Sequence, residues 1–451
     1  MQRIYLDNNS TTRPAPEVVE AMAPWMGERH ANPSSPHPDG EASADAIRAA
    51  RGQVASLLGC LPSEVCFTSG ASESIATAFA SAQATAPAER RKLIVSSVEH
   101  SAVKYSAQRA GEEGWDLVVI GVDEEGRLDR ERLLSEIDSA CVLVSLILAN
   151  NETGVLSDLQ GVGEACRAVG ASLHVDAVQA PGKMELDVSN LGCDFLSLSA
   201  HKFHGPTGVG VLYVRSGQTF RPLIVGGPQE DERRAGTENV AAIVGLGVAA
   251  QLAQARGSDT KSLAKLENLR DTLEQRLLAA LPDSRANGAG SPRVPGTSNV
   301  YLGGLEAAYV LAVIGQEGVD ASAGSACNAT STAPSPVLMA MGRDEAQASG
   351  SLRFSLSAHT TAQEIDRAGD VVVAAVKPKP HWIHPTLQPH RDFHRTLGVH
   401  GDLARVHAIL RPARSFHSEL ARRQNDRLPV GTINLRLKEK IRREALGLRR
   451  I

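Results

Sequence analysis

Three short segments of this chain hold residues whose types and spacing can do chemistry. In Thr68-Ser69-Gly70-Ala71-Ser72-Glu73-Ser74, small and hydroxyl-bearing residues stand between a strand-like run and a helix-like one. The first backbone N–H groups of such a helix can face an anion, helped by the helix dipole. In His174-Val175-Asp176-Ala177-Val178-Gln179, a carboxylate at a strand end can hold a pyridinium nitrogen protonated, and a Gln can donate to a phenolic oxygen. In Ser199-Ala200-His201-Lys202-Phe203-His204-Gly205-Pro206, a lysine follows a strand beside a Ser/His pair. Burial lowers the pKa of such an amine and frees it to form a Schiff base with an aldehyde. Taken singly, the segments also read as a capped helix, a strand-end Asp and a solvated loop lysine.

The elements that must position these residues are legible as short β-branched runs between residues 64 and 215. They are Val65-Cys66-Phe67, Leu93-Ile94-Val95, Leu117 to Ile120, Cys141 to Leu148, Leu173-His174-Val175, Phe195 to Leu198 and Val209 to Val214. Helix-like segments separate most of them. In Arg130 to Ile137, Leu133, Leu134 and Ile137 are expected to share a face, with Asp129 as cap. Near-continuous apolar strands alternating with helices predict an α/β layer with a mostly parallel sheet covered on both faces. Leu263, Leu266, Leu269, Leu273, Leu277 and Leu281 predict one long amphipathic helix. Strand-like Ser298 to Leu302, helix-like Glu306 to Ile314 and strand-like Leu352 to Leu356 follow, a mixture suited to a smaller α+β domain. The expected division is 15–255 for the large domain, 1–14 plus 256–380 for the small one, and 381–451 for a tail. An anion-binding helix start, an Asp and then a Lys, each at a strand-to-loop junction of one sheet, together meet the needs of a pyridoxal phosphate enzyme. The carboxyl ends of the strands are where an open α/β sheet places its ligand.

The chain has 451 residues and a formal net charge of −4, which hides an asymmetry. The segment after Pro380 carries 15 of the 47 Lys and Arg but only six of the 51 Asp and Glu, a balance of +9 that leaves −13 for the rest. An acidic body joined to a basic tail gives no licence to assign the body a nucleic-acid partner. Cys60, Cys66, Cys141, Cys166, Cys193 and Cys327 are dispersed without CxxC or CxxH spacing, so neither a structural metal site nor a disulfide framework is expected. A reducing, cytoplasmic compartment follows. The stretch Val240 to Ala253 is interrupted by glycines and short of the roughly 20 residues of a membrane span, so no membrane partner is expected.

With these segments in place, the chain resembles the cysteine desulfurases of the NifS/IscS type, in the class V aminotransferase superfamily of fold-type I pyridoxal phosphate enzymes. The resemblance runs in order through Tyr5-Leu6-Asp7-Asn8-Asn9-Ser10-Thr11-Thr12, Asn32-Pro33-Ser34-Ser35, Ser97-Val98-Glu99-His100 and Asn150-Asn151-Glu152-Thr153-Gly154. It continues through the three segments above, Arg234-Ala235-Gly236-Thr237 and Gly324-Ser325-Ala326-Cys327, to Arg353-Phe354-Ser355, covering about residues 4 to 376. It implies that Lys202 holds pyridoxal 5'-phosphate, Asp176 pairs with the ring nitrogen and Gln179 with the phenolic oxygen. His100 would stack on the ring and serve as an acid/base. Ala71, Ser72, Ser199 and His201 would bind the phosphate, with Thr237 contributed by a neighbouring subunit, hence a homodimer. Asn151 and Arg353 would hold the substrate L-cysteine, Arg353 through a bidentate pair with its carboxylate.

Cys327 decides the reaction class that the resemblance implies: its thiolate would take sulfur from L-cysteine as a persulfide, leaving L-alanine. Small residues surround this thiol, and an exposed loop near a cationic site favours thiolate. The Ser-, Thr- and Pro-rich stretch between Gly324 and Val337 is similar to the longer catalytic loop of the NifS/IscS group rather than the short one of the SufS group. The next acceptor would be an iron–sulfur scaffold protein or a tRNA-thiolation relay. Ser72 stands where the family often has Thr, Ala76 where Asn is usual, and Pro336 where His or Tyr is common. The alternative activity is that of a selenocysteine lyase or another class V carbon–sulfur lyase. Residues 381–451, with seven of the 14 histidines, lie outside the resemblance. An RNA-binding arm, a scaffold-docking extension and a non-native reading frame are the readings they leave open.

Overall fold

A computed structural model describes residues 3–324 and 333–376. The Cys327 assignment and the whole tail after Pro380 lie outside the described residues. The strands are β1 (Ile4–Tyr5), β2 (Val65–Thr68), β3 (Lys92–Ser96), β4 (Asp116–Ile120), β5 (Cys141–Ile147), β6 (Ser172–Asp176), β7 (Phe195–Ser199), β8 (Gly210–Val214), β9 (Arg285–Ala286), β10 (Thr297–Tyr301), β11 (Val319–Asp320) and β12 (Ser351–Ser355).

Seven of them form one sheet in the order β2-β8-β7-β6-β5-β3-β4. All neighbours from β4 to β7 pair parallel, and β8 runs antiparallel to both β7 and β2. Every residue of β5 is buried, as its unbroken apolar run requires of a strand covered on both faces. The edge strand β4 leaves its first residue in water. Glycine is required at the start of β8, because a Cβ on Gly210 would lie 2.6 Å from the Cα of Gly70. That close approach seats the helix Ala71–Thr85 on the sheet.

A second apolar cluster joins Ile4, Leu6, Leu273, Val310, Phe354 and Val372. Around it lie the antiparallel sheet β12-β10-β9, the short parallel pair β1-β11 and the helices Thr260–Ala280, Ala307–Gln316 and Ala362–Val376. The leucine row expected from 263 to 281 forms the helix Thr260–Ala280, with Leu266, Leu273 and Leu277 buried.

Two expectations change. Leu134 does not share the buried face of Leu133 and Ile137: it is 36% exposed against 0% and 8%, because neighbours in sequence lie about 100° apart around a helix. The apolar stretch from Val240 does not stop at Ala253 but forms an 18-residue helix, Val240–Gly257, of mean hydropathy 1.3. By length and composition it is apolar enough to cross a membrane, and half of it is buried within the protein. Its glycines are contact points rather than interruptions. A Cβ on Gly247 would lie 2.7 Å from the Cα of Ala50, so the missing side chain lets this helix lie close against the helix Pro38–Leu58.

Candidate active site

The carboxyl ends of β2, β3, β5, β6 and β7 open onto one cavity of about 360 Å³. From β2 and the helix after it come Ala71 and Ser72; from the turn after β3 comes His100; from the loop after β5 comes Asn151. Asp176 ends β6 with Gln179 just beyond, Ser199 ends β7 with His201 and Lys202 following, and Arg353 enters from β12. The cavity therefore gathers every site residue expected from the sequence among the described residues except Thr237. Thr237 lines a separate cavity with Phe67, Glu230 and Arg234.

Lys202 donates from Nζ to the carbonyl oxygens of Asn9 and Ser10, both at 2.7 Å. Asp176 is buried and accepts from the Val178 N–H at 3.1 Å. Burial pushes its carboxyl pKa up, while His100, the Val178 N–H and Lys202 pull it back. His100 caps the helix Ser101–Glu112, its Nδ1 accepting from the Ala102 N–H at 3.2 Å. A backbone N–H can only donate, so Nδ1 is the acceptor in this contact, which leaves Nε2 as the ring nitrogen for any other partner. His201 contacts the Thr11 hydroxyl through Nδ1 at 3.1 Å, and burial with the neighbouring Lys202 charge pulls its pKa down to about 4.

The helix Ala71–Thr85 begins at Gly70 with no side-chain cap, so its first N–H groups remain available to an anion in the cavity. The Ser199 hydroxyl lies 3.8 Å from where a Gly70 Cβ would be, beside the same helix start. An uncapped helix start, a part-buried lysine amine and a buried carboxylate on one cavity suit the phosphate, aldehyde and ring nitrogen of pyridoxal phosphate.

Arg353 is buried in β12, donating from Nη1 to the Asn151 carbonyl at 3.0 Å and from Nη2 to Asp7 Oδ1 at 2.6 Å and Ser10 Oγ at 2.7 Å. Its Nε has no hydrogen-bond partner among the described residues. The bidentate substrate pair expected from the sequence therefore meets a guanidinium whose two Nη atoms already hold protein acceptors, so an incoming carboxylate has to share or replace them.

Several site residues carry no role in the sequence reading. Asn9 gathers the site: its Nδ2 donates to the Asn151 carbonyl at 3.2 Å and to Thr297 Oγ1 at 2.9 Å, and its carbonyl accepts from Gln179 Nε2 at 2.9 Å. Lys183 donates to Gln179 Oε1 at 2.6 Å and to Asn9 Oδ1 at 2.9 Å, and burial pulls its pKa down to about 7. That contact orients the Gln179 amide, because a lysine only donates and must face the oxygen. Glu99 is buried beside Ile147, which pairs with Asp176 across β5 and β6. It accepts at Oε1 from Ser96 Oγ at 2.5 Å and the Ile147 N–H at 2.8 Å, and burial pushes its pKa up to about 8. Asn9 and Glu99 stand inside segments that carry the family resemblance, and Lys183 stands four residues after Gln179, the available signals.

Of the departures, Ala76 does not line the cavity. Pro336 opens the helix Pro336–Ala340 at its first turn, where proline is at home, capped by Ser335. Ser335 also donates to Glu152 Oε2 at 2.5 Å. Among the described residues no group of acidic, His or Cys side chains could hold a metal ion.

A mostly parallel α/β sheet with Lys202, Asp176 and an anion-facing helix start at the ends of its strands defines a fold-type I enzyme of the pyridoxal phosphate class. Residues 4–368 match the aminotransferase class-V family. A cysteine desulfurase of Trichormus azollae is 43% identical over 377 residues, covering 84% of this chain and 94% of that protein. NifS of Azotobacter vinelandii, a cysteine desulfurase, is 42% identical over 387 residues, covering 85% of this chain and 96% of its own. A solved NifS-like protein superposes with a TM-score of 0.76 at 33% identity, covering 83% of this chain and 99% of that one. The chain belongs to the aminotransferase class-V family and falls among its cysteine desulfurases.

Proposed function

We propose that the chain binds pyridoxal 5'-phosphate and converts L-cysteine to L-alanine, passing the sulfur to Cys327. The convergence of Lys202, Asp176 and the uncapped Ala71 helix start on one cavity carries this reading. The cofactor, when bound, supplies the electron sink that makes the substrate Cα proton labile. Ala71, Ser72, Ser199 and His201 hold its phosphate, Asp176 keeps its ring nitrogen protonated, and Gln179 donates to its phenolic oxygen. Lys202 would hold its aldehyde group and would move a proton at the substrate Cα. His100, with Nδ1 engaged by its own helix, works through Nε2 beside the substrate thiol. Asn151 and Arg353 orient the substrate.

In the net reaction the substrate C–S bond breaks and an S–S bond forms on Cys327, with the thiol proton replaced at the alanine methyl. The other cysteines support this assignment. Burial pushes the thiols of Cys60, Cys66 and Cys141 up to about 12 and those of Cys166 and Cys193 up as well, and none lines the cavity. Inert thiols of that kind do not attack sulfur at neutral pH.

The division into a large cofactor-binding domain of residues 15–255 and a small domain of residues 1–14 plus 256–380 that carries the Cys327 loop belongs to the same proposal, as does a homodimer in which Thr237 completes the partner's phosphate site. The onward acceptor is an iron–sulfur scaffold or a tRNA-thiolation relay, in a reducing compartment such as the cytoplasm. Alanine formation from L-cysteine by the loaded chain tests the reading. Activity abolished by Lys202→Ala is expected; alanine released at the same rate without Lys202 overturns it.

A further inference from the structure

A second cavity, of about 170 Å³, opens beside the first and shares Lys202 with it. Its wall carries the cations Lys183, Lys202, Arg256 and Lys265 and, among the described residues, no Asp or Glu. Arg256 sits in the last turn of the helix Val240–Gly257, and its guanidinium makes no hydrogen bond or ion pair among the described residues. Burial pulls its pKa down, and among the described residues Glu17, outside the wall, is the acid that pulls it back. Asp259, close in sequence, is engaged by the start of its own helix, accepting from the Lys261 and Ser262 N–H groups and the Ser262 hydroxyl. His204 adjoins the same wall, with Arg256, Lys183 and His359 all acting on its charge and the His359 ring edge-on at 5.0 Å. Positive groups from separate segments thus converge on one space with no carboxylate in its lining.

A concave wall of one charge sign inside a low-dielectric surround raises the local concentration of counter-ions. Arg256 offers a guanidinium fork with unused donors, the geometry that suits an oxyanion. Lys183 uses two N–H groups on Gln179 and Asn9 and, in its protonated form, has a third left. The Thr360 hydroxyl accepts from the Ser357 N–H at 3.0 Å, which leaves its own proton to donate.

We propose that this second cavity binds a small free oxyanion of phosphate size through Arg256, Lys183 and Thr360. The volume suits a free ion: the cavity is smaller than the roughly 300 Å³ at which pockets for drug-sized ligands begin, and it has room for a phosphate with some water. An ion here reaches the active site through one lysine. Negative charge beside Lys183 keeps that amine protonated, and the amine fixes Gln179 and Asn9, whose carbonyl holds the Lys202 amine.

The test titrates inorganic phosphate into the full chain already loaded with pyridoxal phosphate, so that the cradle at Ser72 is filled, with NaCl holding ionic strength constant. The loaded protein is expected to show a saturable rise in Tm, and Arg256→Gln to weaken the apparent affinity by about tenfold or more. An equal midpoint in Arg256→Gln, an equal response to NaCl, or a response removed by Ser72→Ala overturns the site. Should Arg256→Gln not fold, Thr360→Val keeps the shape and removes a donor. A several-fold weaker titration in that variant supports the site, and an unchanged one overturns it. These outcomes need the cofactor to load, which its absorbance reports separately, but not the conversion of L-cysteine.

Discussion

Arg353 Nη2 donates to Asp7 Oδ1 at 2.6 Å, tying β12 to the segment after β1 and fixing the guanidinium in one pose before any substrate arrives. A lysine at this position keeps the charge but loses the planar fork that reaches Asp7, Ser10 and Asn151 together. Arg353→Lys is therefore expected to raise KM for L-cysteine by about 10- to 100-fold, the equivalent of a lost charge-assisted pair of hydrogen bonds. Steady-state alanine formation measures it, and an unchanged KM removes Arg353 from substrate binding.

Asp176 contributes a charge, not a shape. Asp176→Asn preserves the side-chain volume and removes the carboxylate that would hold the cofactor ring nitrogen protonated. Turnover is expected to fall by about 10²-fold or more, the scale of losing one preorganised electrostatic partner. Cofactor absorbance should remain, since the phosphate cradle and Lys202 are untouched. Full turnover in Asp176→Asn contradicts the role.

Glu99 makes stability depend on pH in a predictable direction. Its pKa rises on folding from 4.5 to about 8, so between those values the folded state binds more protons than the unfolded one. Stability from this group is fully present below about pH 4.5 and is lost as pH rises through about 8. Glu99→Gln keeps an acceptor for Ser96 and the Ile147 N–H but cannot ionise. The Tm of Glu99→Gln minus that of the unaltered chain should therefore grow more positive across this range. A difference independent of pH shows that Glu99 does not titrate there.

Thiol chemistry separates Cys327 from the other cysteines. Brief alkylation of the native protein near pH 7, read by peptide mass spectrometry, is expected to label Cys327 far ahead of Cys66, Cys141, Cys166 and Cys193, all buried with thiols pushed up. Cys60 is part-exposed, and burial with the Glu64 charge still pushes its thiol up to about 12, so it should lag too. Equal labelling of Cys60 and Cys327 removes the distinction.

The seven-stranded sheet was legible because each strand is a local apolar run, and Asp176, Ser199 and Lys202 were legible because they stand directly at strand ends. Asn9 and the Asp7–Arg353 pair were harder to read, since their partners lie 142 to 346 residues away along the chain. Lys183 stands only four residues from Gln179, yet its amine matters because folding buries it, which local spacing does not reveal. Gly245 and Gly247 illustrate the opposite error. Read along the sequence they interrupt an apolar stretch; in the fold they are where neighbouring side chains and backbone come closest to the helix Val240–Gly257.

The central claim is that sulfur leaves L-cysteine for Cys327. Loaded enzyme mixed with one equivalent of L-cysteine, without reductant, should form alanine and add one sulfur, about 32 Da, to the Cys327 peptide, an increment that reductant removes. Alanine and sulfide formed with Cys327 unmodified, or sustained by Cys327→Ser at the original rate, contradicts it.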